Sequence, residues 1–380
     1  MKENKMHPLI DKEKQNLAKK YHKDHLKLSI ISYIISAVFL FALLYFNISK
    51  NFVSFLNNIL GPRFFIILIY FIGLYIIYSI ISLPFAYIEG YKIEQKYGFS
   101  TQNFKAWFND WLKSFFVSFI LGVIIFEVIY LITNISPYLW WLWLSVIMII
   151  FSVILANLFP VLILPLFYKT SPIENEDLKK RIEEICGRIK INLQGIFSIN
   201  LSSKSTKANA AVVGLGNTKK ILIGDTLIAD YTEDEIMSAL THEITHYKEH
   251  HIWWLILCQS LVTVVLFYIL YRIHPFFYEL AGFEKISEVA AFPIFAIIFA
   301  ILSFVTQPLT SSISRFYERK ADKGAFNLTK DSKSFISLMA KFCNKQLLIA
   351  YPNPFIEWYK YSHPSPGNRI KFAETWEAKQ

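Results

Sequence analysis

Cysteine, charge and aspartate are all scarce in this chain. Its three cysteines, Cys186, Cys258 and Cys343, lie far apart in 380 residues. They are too few and too scattered for a disulfide framework or a CxxC metal knot, so free thiols are expected. Only 18% of the residues are charged and 54% are hydrophobic, whereas about 25% are charged in an average soluble domain. That balance excludes a disordered chain and a basic nucleic-acid arm, and it disfavours an ordinary soluble enzyme. The nine aspartates form no DDxxD-like cluster. Magnesium-bound diphosphate chemistry, as in a membrane prenyltransferase, is excluded with it. The first 27 residues have neither a short apolar core nor a small-residue cleavage site, and the termini carry no myristoylation motif or prenylation box. There is no internal repeat and no low-complexity linker.

What the chain does contain is long apolar runs. Six of them, at about 28–47, 64–88, 114–133, 139–168, 252–271 and 289–310, approach or exceed the roughly 20 residues needed to cross a bilayer. None carries Lys or Arg except at its edge. Pro160 and Pro165 are expected to kink the fourth run, and Trp140, Trp141 and Trp143 at its start suit a membrane interface. Sorted by loop, 35 of the 39 basic residues fall on one side of such a topology. The positive-inside rule puts that side, with both termini, in the cytoplasm. The net charge of +10 therefore reads as a topology signal. The lipid bilayer is the expected partner, with no nucleic acid.

Two polar segments, about 169–251 and 311–380, are large enough for folded structure. Both fall on the basic side and are expected to pack together. In the first, an amphipathic helix pattern over 177–190 precedes strand-like runs at 196–201, 210–213 and 220–223, with a turn signal at 214–217.

The chemistry is concentrated in one stretch. Thr232 and Glu235 form a capping box that opens a helix free of Gly and Pro to about Tyr271. Inside it lies His242-Glu243-Ile244-Thr245-His246. Histidines four apart share a helix face, so both can reach one zinc ion, with Glu243 beside the open position to take a proton from water. With 9 His and 20 Glu, chance places such a motif in on the order of one chain per hundred. Zinc needs a third protein ligand. His250 lies about 12 Å along the helix axis from His242 and is too far. His250 and His251 read as interfacial residues, and His7, His22 and His25 as part of a basic N-terminal arm. The better third ligand is Glu318, with Asp322 four residues on, placed to accept the free N–H of a ligand histidine. Glu127, within the third run, is a separate feature: it either lines a water-filled cavity or sits protonated in a helix contact.

These residues resemble the membrane zinc metalloproteases of the type I CAAX prenyl endopeptidase family. The resemblance covers most of the chain. It rests on Ile93 to Ser100 (IEQKYGFS), Asn209-Ala210, Ile223 to Leu227, the HEITH stretch, Ser314 to Asp322, and Tyr361 to Pro364. It implies that His242, His246 and Glu318 hold one Zn2+ per chain, that Glu243 is the general base, and that Asp322 orients a ligand histidine. It further implies that His363 and Arg369 contact substrate and stabilise the oxyanion, and that Asn209 and Ala210 begin a substrate-binding edge strand. The implied fold is mostly α, a polytopic helical membrane protein of about six spans forming a chambered barrel, with a small cytoplasmic zincin-like α+β metalloprotease domain. Residues 1–168 form the membrane domain, and 169–380 the protease domain with the last two spans. The implied substrates are C-terminal or membrane-associated peptides, prenylated in the family. Compared with eukaryotic members, the most N-terminal span is replaced by the charged arm, and a proline after the motif histidine is lost in His363-Pro364-Ser365-Pro366. The competing readings are a membrane quality-control zinc protease and a non-catalytic scaffold with structural zinc. Four spans before His242 argue against the first. Three ligands with a glutamate beside them argue against the second.

Overall fold

The computed structural model describes residues 6–214 and 219–379. The chain opens with α1 (Lys12–Tyr45), whose N-terminus is capped by the Asp11 carboxylate accepting from the amides of Glu13 and Lys14. A short helix, α2 (Ile48–Ile59), leads to α3 (Arg63–Tyr87), which passes through a π turn (Ile88–Ile93) into the single turn α4 (Glu94–Lys96). Then come α5 (Phe104–Ile135) and α6 (Trp140–Leu158), followed by a second π turn (Phe159–Ile163) and α7 (Leu164–Phe167). Pro160 and Pro165 lie in that π turn and in α7. Each removes a ladder N–H, and the helix deforms where the prolines predicted.

The polar segments add β1 (Thr170–Pro172), α8 (Glu176–Arg188), β2 (Gly195–Ile199), β3 (Ala210–Val213), β4 (Lys220–Gly224) and α9 (Asp225–Asp230). These lead into α10 (Glu233–Lys248) and α11 (His251–Leu280). The chain closes with α12 (Phe292–Thr329), α13 (Ser332–Lys345), α14 (Pro354–Lys360) and α15 (Pro366–Glu377). The sheet order is β1-β2-β4-β3, with only β2 and β4 parallel, so β3 is an edge. The predicted turn at 214–217 falls largely outside the described residues.

Six helices are long and apolar enough to cross a membrane, at Lys12–Tyr45, Arg63–Lys96, Phe104–Ile135, Trp140–Phe167, His251–Leu280 and Val289–Thr329. They match the six apolar runs. Their outer faces leave large side chains uncovered, such as Ile80 at 66% and Phe304 at 67% exposure. Helices satisfy their own backbone hydrogen bonds, so lipid can solvate such faces where water could not. The protein is a multi-pass membrane protein. A separate core joins the two polar segments: Ile182, Ile221, Ile223 and Leu240 pack with Phe326, Phe335 and Ile370.

Several expectations need correction. The basic arm is helical from Lys12 onward. It is the first part of α1, whose buried Gln15 bonds the carbonyl of Leu348 and the amide of Ala350, and whose buried Tyr21 packs on Tyr97 and Phe99. The helix from Glu233 does not run on to Tyr271. It stops at Lys248, and His250 adopts a left-handed conformation with φ 56° before α11 begins. No glycine is needed there, because histidine tolerates that region better than most residues. Trp140 does not project outward as an interfacial indole would. It is fully buried against Phe267, Tyr271, His274 and Phe295, while Trp143 is half exposed.

Candidate metal centre

Three helices build the centre, and their local sequence explains their positions. α10 starts at a capping box: the Thr232 hydroxyl accepts from the Glu235 amide at 3.3 Å, and the Glu235 carboxylate accepts from the Thr232 amide at 2.9 Å. Losing such a cap costs about 1 kcal/mol. Glu235 is also pinned to α13 by the Ser337 hydroxyl at 2.7 Å and the Lys341 ammonium at 2.6 Å. α12 meets α10 at Gly324, where an added Cβ would overlap the side chain of Thr245. The absence of a side chain there lets the two helices approach closely enough to bring Glu318 against both histidines. α15 supplies Arg369 from behind.

The three predicted donors converge. His242 Nε2 lies 3.0 Å from Glu318 Oε2 and 3.2 Å from His246 Nε2, and His246 Nε2 lies 3.4 Å from Glu318 Oε1. Two imidazole nitrogens facing each other beside a carboxylate form a site for a cation. Burial alone would lower the His242 imidazole, but the Asp322 and Glu318 carboxylates outweigh it and push the group up to about 9. The surroundings thus favour positive charge at this ring. These three residues can hold a metal ion.

Around them the structure arranges supports. Asp322, fully buried, stands 2.8 Å from His242 Nδ1. Arg369 grips Asp322 with two donors, Nη2 to Oδ1 at 2.5 Å and Nε to Oδ2 at 3.0 Å. Burial works against the Arg369 charge, but the Asp322 carboxylate outweighs that and raises its pKa. The chain His242–Asp322–Arg369 therefore fixes one imidazole by hydrogen bonds and balances the buried carboxylate. His246 has its own neighbour: its Nδ1 lies 3.3 Å from Nδ1 of His251. His251 is buried, packs against Tyr317 with ring centroids 5.0 Å apart and planes tilted by 51°, and holds Nε2 3.2 Å from a Glu249 carboxylate oxygen. The sequence alone reads His251 as an interfacial residue within a continuous helix. Five residues along an unbroken helix it would point away from His246; the break at His250 turns it back, and nothing in the sequence signals that break.

The remaining predicted residues meet at a cavity of about 730 Å³. His242, Glu243, His363 and Arg369 line it, together with Asn209 and Ala210 from the edge of the sheet. Burial raises the Glu243 carboxyl, opposed by the nearby His242 and His246. His363, exposed on its loop, holds Nε2 3.3 Å from Glu318 Oε1 and lies outside the converging donor group. Its Nδ1 meets the Ser362 hydroxyl at 2.9 Å. Among the described residues Glu243 is the one acidic residue lining the cavity, against Lys19, Lys23, Lys360 and Arg369. Glu127 stays apart from all of this, with one carboxylate oxygen buried and without a hydrogen-bond partner.

Residues 3–169 match the family model described as CAAX prenyl protease N-terminal, five membrane helices, and residues 172–377 match peptidase family M48. Over the first of these ranges the described residues supply four long spans, α2 being too short to cross. The chain is 28% identical to an uncharacterized metalloprotease, YhfN, of Bacillus subtilis, over 89% of this chain and 80% of that protein. It is also 28% identical to CAAX prenyl protease 1 of Saccharomyces cerevisiae, over 84% of this chain and 75% of that one. A crystal structure of S. mikatae Ste24p superposes with a TM-score of 0.86 at 25% identity, covering 98% of this chain and 92% of that chain.

Proposed function

The chain belongs to peptidase family M48 and is a membrane metallopeptidase of the CAAX prenyl protease type, and from that premise we propose that it is a zinc endopeptidase acting on C-terminal or membrane-associated peptides. The observation that carries the reading is the converging set of two imidazoles and one carboxylate, and its spacing fits zinc. Tetrahedral zinc with bonds of about 2.0–2.1 Å sets its ligands about 3.3 Å apart, and the separations here are 3.0, 3.2 and 3.4 Å. Two imidazoles and one carboxylate from the protein leave a position free, the donor set of a catalytic rather than a structural site. Bound there, zinc supplies a lowered water pKa and a polarised substrate carbonyl.

The protein's own residues do the rest. Glu243 faces the cavity beside both histidines and is the group that takes a proton from water and returns it to the leaving amine. His363 reaches the centre from the cavity side, where an N–H donor can meet the oxygen that gains negative charge. Arg369 is committed to Asp322 through two hydrogen bonds. It serves the reaction mainly by holding the Asp322–His242 pair, and its position on the cavity wall adds positive charge near the substrate. The edge strand β3 can align an extended peptide by adding it as a further strand, starting at Asn209 and Ala210. The excess of basic residues on one side supports a cytoplasmic centre and cytoplasmic termini.

The test is cleavage of a farnesylated CAAX peptide beside its unprenylated twin by the purified protein, with and without a chelator. Chelator-sensitive cleavage is expected, faster on the farnesylated peptide. Equal rates on the two would remove prenyl selectivity and favour a broader clearance role. Chelator-resistant cleavage would contradict the metal mechanism.

A further inference from the structure

The segment from Ile93 to Ser100 carries part of the family resemblance, yet it contributes no residue to the metal centre or to the cavity wall. Its Glu94 is instead the hub of a polar cluster. Glu94 Oε1 accepts the Tyr21 hydroxyl at 2.5 Å and lies 3.2 Å from His25 Nε2. Glu94 Oε2 accepts the Lys207 ammonium at 2.7 Å. The same ammonium donates to the Tyr21 oxygen at 2.8 Å and stands 4.5 Å from the centre of the Phe99 ring. Three distant parts of the chain are thereby tied together: α1, the turn after α3, and the segment leading into β3.

The backbone repeats the connection. The Thr206 amide donates to the Phe99 carbonyl at 3.0 Å, the Thr101 amide donates to the Lys204 carbonyl at 3.2 Å, and Ser100 pairs antiparallel with Ser205. Beyond Lys207 the chain stays held: the Lys207 carbonyl accepts the Thr226 hydroxyl at 3.0 Å, and the Ala208 carbonyl accepts the Gln346 amide at 3.2 Å. The next two residues, Asn209 and Ala210, line the cavity. β3 itself has four residues and a single partner strand. An edge held on one side only is prone to local opening, so its alignment depends on how its first residues are anchored. The Lys207–Glu94 pair is only partly buried, with the two side chains 34% and 16% exposed, so it contributes little net stability, and holding position is the better-attested use of such pairs.

We propose that Glu94 and Lys207 are positioning residues for substrate binding: their ion pair fixes where β3 begins, so that Asn209 and Ala210 present a rigid backbone edge to an extended peptide. This rests on the reading of β3 as the peptide-aligning strand. It assigns the IEQKYGFS segment a role in affinity, separate from the chemical step.

The test compares the full-length wild type with Glu94→Gln, Lys207→Met, their double variant and Lys207→Arg. In Glu94→Gln and Lys207→Met, KM for an extended peptide should rise about tenfold while kcat stays within about twofold. Bound zinc should be unchanged, and amide hydrogen exchange over residues 208–213 should accelerate while that of α10 does not. The double variant should be no worse than the worse single, and Lys207→Arg should restore KM. Unchanged exchange over 208–213 in Glu94→Gln overturns the clamp, whether or not any peptide is cleaved. Accelerated exchange with unchanged KM overturns its role in substrate binding. A wild type that cleaves nothing would sink the proposed function, while the exchange measurement would still decide the clamp.

Discussion

Two carboxylate-centred clusters in this protein look alike on paper and differ in balance. Around Glu318 and Asp322 gather His242, His246 and Arg369; around Glu94 gather Tyr21, His25 and Lys207. Both draw their members from distant parts of the chain. In the Glu94 cluster every acceptor is matched by a protein donor, so the group is complete as it stands. In the Glu318 cluster two imidazole nitrogens and two carboxylate oxygens converge with separations of 3.0–3.4 Å and call for a cation. A balanced cluster fixes position, whereas converging acceptors mark chemistry. The two also differ in burial: Glu318 and Asp322 are 8% and 1% exposed, Glu94 and Lys207 16% and 34%.

Substitutions can break the comparison, and the largest effect falls at the unbalanced centre. Glu318→Gln removes one converging acceptor, so zinc content measured by elemental analysis should fall close to zero and peptidase activity should disappear with it. The same change in the balanced cluster, Glu94→Gln, should leave zinc content alone. If Glu318→Gln retains a full complement of zinc, the assignment of that cluster as the metal centre is wrong. Next in size is Asp322→Asn, which weakens the hold on His242 without touching a donor. Its zinc affinity, read by competition with a chelator, should drop roughly 10- to 100-fold. Smaller again is the loss at Glu94, about tenfold in KM. The smallest is His251→Ala, which removes the neighbour of His246 Nδ1. A zinc affinity reduced by about tenfold or less is expected, with Glu249 and water taking over part of the contact. A larger loss than that of Asp322→Asn would reverse the ranking of the two supports.

How much of this was legible in the sequence follows the range of the interactions involved. The six spans are local signals of apolar length, and the structure has helices at all six. The HEITH stretch and the Glu318/Asp322 pair are local too, since four-residue spacing on a helix puts side chains on one face. Their convergence at 3.0 Å across 76 residues of chain could be expected only because zinc demands a third ligand. Other features have no local signature. The break at His250 occurs without glycine or proline, so His251 read as part of a continuing helix. The Lys207–Glu94 pair spans 113 residues, and neither residue lies in a motif that names the other. Trp140 looked like an interfacial indole because its start-of-span position and composition are the same in either case. Only the neighbours from α11 and α12 decide that it is buried.

The central claim is that Glu243 performs proton transfer at a zinc centre which it does not itself hold together. It is tested most directly by measuring zinc content and peptide cleavage on the same preparation of Glu243→Gln. The account predicts one zinc per chain, as in the wild type, with cleavage reduced by a factor of about 10² to 10⁴. Wild-type cleavage by this variant would contradict it, as would loss of zinc in parallel with activity.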